Sequence, residues 1–331
     1  MNGRRATRVH RAGVRSTVAR AWVPLAHDVG RGVLRRLGGR GRSPERPTFA
    51  EWDAEPSFSD ATWVIGQKPG TLLGTAPMRL MGGHRVTATR MEYVTTDARG
   101  RTITATGAYL HSHHQWRGGA RPVVAFAPST QGVAPHCDPS YSMSVGMAVT
   151  LRGPVDIVAS YELPAITAML AAGMHVVLTD YPRDPDFGWQ LYCDHPSGGN
   201  ALLDAVRAAR HIGLPAAAPV GMWGFSQGGA VAYGLALSYP ERLGGLFALS
   251  TYFATADSIG LSEANRQLPV FIAHGRFDQV VAEHLGQTAA QKLQELGYEP
   301  EYHAYGMEHS LCLEEVRDLD VFLAKRVAGA K

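Results

Sequence analysis

Cysteine is scarce in this chain: Cys137, Cys193 and Cys312 are all it has among 331 residues. Three are too few for a disulfide scaffold, and an odd number leaves at least one unpaired within the chain. Long apolar runs are missing too. None approaches the roughly 20 residues needed to cross a bilayer, so hydropathy offers no transmembrane helix. Charge is modest: 18% of residues are Asp, Glu, Lys or Arg and 45% are apolar, an ordinary balance for a globular chain.

Acids are nearly absent from one stretch. Residues 1–46 hold twelve Arg against Asp28 and Glu45, a formal +10, so the whole-chain +3 leaves −7 for residues 47–331. An acidic body argues against nucleic acid as a partner of the folded part. Arg4-Arg5 hints at twin-arginine export, but Arg15 and Arg20 interrupt the apolar stretch of about 7–15 residues that a secretory signal requires. Residues 1–46 are therefore expected to be a basic tail, disordered or weakly helical, suited to peripheral contact with anionic lipid. The tail ends in the linker-like Gly38-Gly39-Arg40-Gly41-Arg42-Ser43-Pro44, and residues 47–331 are expected to form one domain. Without a clear export signal, the cytoplasm is the favoured compartment.

Two kinds of strand pattern follow. Val86–Thr96 and Thr102–Leu110 alternate apolar and polar residues around Asp97-Ala98-Arg99-Gly100, which predicts an antiparallel hairpin. Beyond residue 121 come short apolar runs without alternation: Val123–Ala127, His175–Thr179, Val220–Trp223, Leu246–Leu249 and Val270–Ala273. Runs of this kind suit strands buried on both faces. Helix-period segments at Leu163–Ala172, Gly199–Ile212, Gly228–Ser238 and Val281–Leu296 separate most of them. The alternation predicts an α/β fold, a mostly parallel sheet with helices on both faces.

The sharpest local signal is Gly224-Phe225-Ser226-Gln227-Gly228, between a predicted strand and a predicted helix. A serine hydroxyl becomes a useful nucleophile when a base takes its proton, and a tight strand-to-helix turn presents it. Its partners are expected in the order acid, then histidine. Asp278 follows the strand ending at Ala273, and His309 follows the strand Glu301–Tyr305. In this reading Ser226 attacks, His309 is the general base, and Asp278 holds the imidazole. An ordinary turn at Ser226 and a helix-capping Asp278 are the bland alternatives. Asp180, after the strand His175–Thr179, is the alternative acid, although it precedes the serine.

An oxyanion needs two donors. The backbone N–H of Gln227 is one candidate, and the loop Ala127-Pro128-Ser129-Thr130-Gln131-Gly132 offers Thr130 or Gln131 as the other. Aromatic residues on loops, Phe187, Trp189 and Tyr192 together with Tyr252 and Phe253, are candidate pocket walls beside Leu191. His111-Ser112-His113-His114 has the look of a metal cluster but no nearby acid or Cys, so no metal is expected. The chemistry requires no cofactor.

These residues resemble two families. From about Trp63 to Gly224 the chain is similar to the secretory lipases: Thr96-Asp97-Ala98-Arg99-Gly100, Ala127-Pro128-Ser129-Thr130-Gln131-Gly132 with Cys137-Asp138-Pro139-Ser140, Thr179-Asp180-Tyr181 and Leu203–Ala209. From Gly224 onward it resembles the carboxylesterase and acyl-protein thioesterase family: Gly224–Ala230, Tyr239-Pro240, Ala248-Leu249-Ser250, Ala273-His274-Gly275 with Asp278, and His309-Ser310-Leu311-Cys312. Both resemblances imply the α/β-hydrolase fold and an acyl-enzyme mechanism, and the second implies the triad Ser226, Asp278 and His309. The lipase resemblance points outside the cell.

Two departures stand out. Only about twenty residues separate Ser250 from Pro269, so a lipase-type cap is expected to be absent there. The thioesterases' own His-Gly oxyanion motif is missing, with Thr130-Gln131-Gly132 in its place. A bridge between Cys137 and Cys193 requires Cα atoms within about 7 Å. The expected substrate is a short- to medium-chain acyl ester. A thioesterase or lysophospholipase with the same triad, and a catalytically silent hydrolase-fold binder, are the competing readings.

Overall fold

The computed structural model describes residues 64–328 apart from 65, 81–82, 133–136, 146, 151–155 and 161. The basic tail expected over 1–46 lies outside the described residues.

Nine strands form one sheet. They are β1 (Leu72–Met78), β2 (Val86–Thr96), β3 (Thr102–Ser112), β4 (Val123–Ala127), β7 (His175–Thr179), β8 (Val220–Phe225), β9 (Gly245–Leu249), β10 (Val270–Gly275) and β11 (Glu301–Tyr305). Their order is β1-β2-β3-β7-β4-β8-β9-β10-β11. β1 to β3 pair antiparallel, β3 meets β7 antiparallel, and the six strands from β7 to β11 run parallel. A separate two-stranded hairpin joins β5 (Met147–Thr150) and β6 (Asp156–Ala159). This is the α/β-hydrolase layout that the sequence predicts, with its antiparallel start.

The non-alternating runs are explained by two cores, one on each face of the sheet. Val123, Ala125 and Ala127 of β4 pack into one, while Val124 and Phe126 pack into the other. Helices α3 (His195–Arg210), α4 (Gln227–Ser238) and α5 (Glu283–Glu295) cover the first face. On the second lie α1 (Pro139–Val145), α2 (Leu163–Ala171) and α6 (Leu313–Ala328). Both faces of a central strand are thus dry, and apolar residues are needed at every position. Among the described residues no helix is long and apolar enough to cross a membrane.

Some boundaries differ from the sequence reading, for local reasons. α3 starts at His195 rather than Gly199, because the Asp194 side chain caps it and Pro196 suits its first turn. α5 starts at Glu283 rather than Val281, because Asp278 Oδ1 holds the N–H groups of Val280 and Val281 at 2.9 and 2.8 Å. β1 was not expected. It is an edge strand carrying Gly74 and Pro77, and its register shifts between Leu72 and Gly74. At the start of α6, Glu315 Oε2 accepts from the Cys312 N–H at 3.4 Å and Cys312 Sγ accepts from the Glu315 N–H at 3.5 Å, a reciprocal cap. The Glu315 carboxyl is wholly buried, and its Oε1 finds no partner among the described residues. Burial pushes it up to about 8.

Candidate active site

Ser226 stands where β8 turns into α4. Its backbone has φ 54° and ψ −128°, a region that costs a residue with a side chain roughly 1–3 kcal/mol. The turn is held by the Ser226 N–H donating to Leu249 O at 2.9 Å, and by Ser226 O accepting from the Gly229 N–H at 3.0 Å and the Thr251 hydroxyl at 2.5 Å. A Cβ at Gly224 would strike the backbone of Gly228 and Gly229, and one at Gly228 would strike the carbonyls of Ala127 and Pro128. These two glycines let the start of α4 press directly on the loop after β4. The Ser226 side chain is half-buried, and its hydroxyl hydrogen-bonds to no described residue.

Asp278 and His309 arrive on neighbouring loops that the main chain laces together. Arg276 N–H donates to Tyr305 O at 2.8 Å, and Phe277 N–H donates to Met307 O at 3.0 Å. Gly275 leaves room for the carbonyls of Met307 and Glu308. The structure brings the two side chains together: His309 Nδ1 lies 2.7 Å from Asp278 Oδ2. A carboxylate only accepts, so Nδ1 carries the proton and the neutral ring keeps Nε2 as an acceptor. The Asp278 side chain is sealed from solvent, while His309 keeps 18% exposure. The imidazole rests on Phe225, the residue before the serine, with ring centroids 4.7 Å apart. His274 supports the acid loop from beneath. It is fully buried, its Nε2 meets Val281 O at 2.9 Å, and it lies 3.6 Å from Asp278 Oδ2.

Asp180 is committed elsewhere. Its carboxylate accepts from the Ser140 N–H and hydroxyl at 2.7 and 2.6 Å and from the Thr106 hydroxyl at 2.7 Å. Among the described residues no histidine pairs with it, which speaks against it as the acid.

The loop after β4 meets α4 at Gln227. Thr130 Oγ1 reaches Gln227 Oε1 at 3.5 Å, and Gln227 Nε2 donates to the carbonyl of Tyr192. Among the described residues, the backbone N–H groups of Gln227 and Thr130 donate to nothing. Gln131 differs from expectation. Its N–H faces the Tyr192 hydroxyl at 3.4 Å, its Nε2 donates to Glu162 at 3.2 Å, and its Oε1 accepts from Ser142 at 2.6 Å. The N–H, amide nitrogen and amide oxygen of Gln131 each have a partner, whereas the Thr130 N–H is unengaged among the described residues.

The aromatic residues separate likewise. Phe187 and Trp189 stack on each other with centroids 5.2 Å apart and are 68% and 70% exposed. Their loop is fastened by Arg101, which binds Asp97 in the β2–β3 turn and Asp184 and Asp186 in the loop. Tyr252 stands edge-on to His195. Phe253 stacks on the buried Tyr233 at 4.9 Å and packs against the core, which accounts for it without a pocket. None of the three cysteines is in a disulfide, so the Cys137–Cys193 bridge is not formed. Of the histidine-rich turn, His113 bonds Thr87 and His114 bonds His84 O, while His111 packs on His175.

Sequence reasoning missed Glu162. It sits at the start of α2, 2% exposed, and its two oxygens each accept from the Ser129 N–H at 3.2 Å. A carboxylate at a helix start reads as a cap, and nothing in the pattern separates it from one.

Comparison with known proteins agrees with this architecture. The phospholipase/carboxylesterase family matches residues 202–327 and the secretory lipase family residues 153–241. The two overlap over 202–241 rather than meeting at Gly224. Acyl-protein thioesterase 1 of Neurospora crassa is 37% identical over 129 residues, 38% of this chain and 52% of that protein. Carboxylesterase SOBER1 of Arabidopsis thaliana is 34% identical over 110 residues, 32% of this chain and 48% of that one. The chain thus spans about half the length of the curated relatives it matches. Among solved structures, Candida antarctica lipase A in its closed state superposes with TM-score 0.67 at 14% identity, covering 85% of this chain and 87% of that one. The rice cell wall degrading esterase LipA from Xanthomonas oryzae, in a ligand-bound form, gives 0.51 at 15% identity, covering 79% and 97%.

Proposed function

From the α/β-hydrolase fold and this site, we propose that the chain hydrolyses carboxylic esters through an acyl-enzyme formed on Ser226. The observation that carries this reading is the 2.7 Å bond between Asp278 and His309 with the imidazole lying on Phe225, beside the strained serine. His309 Nε2 takes the hydroxyl proton as Ser226 Oγ bonds to the ester carbonyl carbon. The oxyanion accepts from the N–H groups of Gln227 and Thr130. Collapse expels the alcohol, which leaves with the proton held on His309. Water then attacks the acyl-enzyme with His309 as base, the acid departs, and Ser226 regains its proton.

The pocket favours short- to medium-chain acyl groups. β9 ends at Leu249 and β10 begins at Val270, too short an interval for a lipase-type cap. Phe187, Trp189 and Tyr252 flank the same end of the sheet. A second reading, thioester hydrolysis, draws on the acyl-protein thioesterase relatives and on the phospholipase/carboxylesterase family match over residues 202–327, which spans Asp278 and His309.

The test is p-nitrophenyl acyl ester hydrolysis and fluorophosphonate labelling of the wild type and Ser226→Ala. Wild type should turn over and label at Ser226, and the variant should lose several orders of magnitude in rate. Equal activity in both ends the proposal. A chain-length series, with palmitoyl thioester alongside, ranks the two substrate classes.

A further inference from the structure

We propose that Glu162 is a positioning residue for ester hydrolysis, clamping the loop that presents the Thr130 N–H to the oxyanion. This rests on the Ser226 reading above and adds a residue outside the triad.

The clamp is built around Thr130 on both sides. Glu162 accepts from the N–H of Ser129 through both oxygens at 3.2 Å, and from Nε2 of Gln131 through Oε2 at 3.2 Å. The residues before and after the donor are therefore tied to one carboxyl group. Gln131 passes the constraint on, because its Oε1 accepts from the Ser142 hydroxyl at 2.6 Å and its N–H faces Tyr192. Tyr192 in turn accepts from Gln227 through its carbonyl. Glu162, the loop and the residue after the nucleophile form one hydrogen-bonded chain. Thr130 itself is exposed and, among the described residues, holds only the long contact to Gln227, so the direction of its N–H is set by its neighbours.

Such a clamp matters because an oxyanion donor works only when already aimed at the developing charge, with no reorganisation during the reaction. Glu162 is also poised to change state. Burial lifts its carboxyl to about 7, against the lowering by the Ser129 N–H and the Gln131 amide. Ser129 and Gln131 are the groups that face it, and no charged side chain contributes to its shift. The ionised form accepts from both partners with charge-assisted bonds, while the protonated form gives up one acceptor position.

The experiment compares wild type, Glu162→Ala, Glu162→Gln and Ser226→Ala on one soluble ester from pH 5.5 to 8.5. Removing a donor outright costs about 10²–10³ in kcat in other enzymes, and misaiming one should cost about 10–100-fold. Glu162→Ala is expected to lose that much in kcat with KM within about threefold. Glu162→Gln keeps neutral hydrogen bonds and should recover most of the loss. The ratio of wild-type to Glu162→Gln kcat should rise with pH through a midpoint near 7, because every group the two proteins share drops out of the ratio. If Glu162→Ala fails to fold, the Glu162→Gln ratio still decides. A flat ratio, a Glu162→Ala kcat within twofold of wild type, or a loss in KM alone overturns the clamp. Ser226→Ala, inactive in the first case and active in the second, separates failure of the clamp from failure of the Ser226 reading.

Discussion

Replacing Glu315 with glutamine should stabilise the protein in alkali and leave it unchanged in acid. The Glu315 carboxyl has one long hydrogen bond, from the Cys312 N–H, and its other oxygen is unpartnered in a fully buried site. Burial raises it from 4.5 to about 8. Below pH 4.5 both folded and unfolded chains hold the proton, and the group costs nothing. Between 4.5 and 8 the folded chain keeps a proton that the unfolded chain has released, so stability falls as pH rises. A shift of about 3.5 units at ~1.36 kcal/mol each gives about 5 kcal/mol lost by pH 9, and about 3 kcal/mol by pH 7. Glutamine mimics the neutral acid and never ionises. At ~2 °C per kcal/mol for a chain of this size, Glu315→Gln should melt about 10 °C above wild type at pH 9 and within a degree or two at pH 4.5. Asp138 and Glu162 are also raised by burial, but they remain in both proteins, so the difference between the two melting curves isolates Glu315. Thermal unfolding by circular dichroism across pH 4.5–9 is the assay. Parallel curves, with the same gap at every pH, would refute the reasoning.

Two further outcomes follow from the site. Asp278→Asn can no longer hold the Nδ1–H tautomer of His309; kcat on p-nitrophenyl acetate should fall about 10³–10⁴-fold, against a loss of at most threefold for the exposed Trp189→Ala. Gly228→Ala places a Cβ against the carbonyls of Ala127 and Pro128. Overpacking costs about 1–3 kcal/mol, so its urea midpoint should drop while esterase activity falls further than stability explains, because the displaced loop carries Thr130.

How much was legible follows from what each residue does. Val123–Ala127 could be read as a buried strand because both of its faces meet apolar cores, and every position had to be apolar. Asp278 and His309 could be paired because each follows a recognisable strand, and strand ends are where the topology gathers side chains. β1 was illegible, since an edge strand containing Gly74 and Pro77 lacks the residues that mark a buried one. The start of α3 was misjudged by four residues because Gly198 and Gly199 look like a boundary, whereas the capping Asp194 lies upstream. The role of Gln131 could not be read at all. Its sequence neighbours say nothing about Glu162 and Ser142, which reach it from the start of α2 and from α1, and only the folded structure brings them to it.

The lacing of the loop after β10 to the loop after β11 has a mechanical consequence. Asp278 and His309, the proposed acid and base, ride on one laced pair of loops, while Ser226, the proposed nucleophile, is moored at the start of α4. Breathing between the two would lengthen the path of the proton from serine to imidazole without altering how strongly the imidazole is oriented. In such an arrangement motion governs how often attack is set up, while the Asp278–His309 bond keeps the ring in one tautomer.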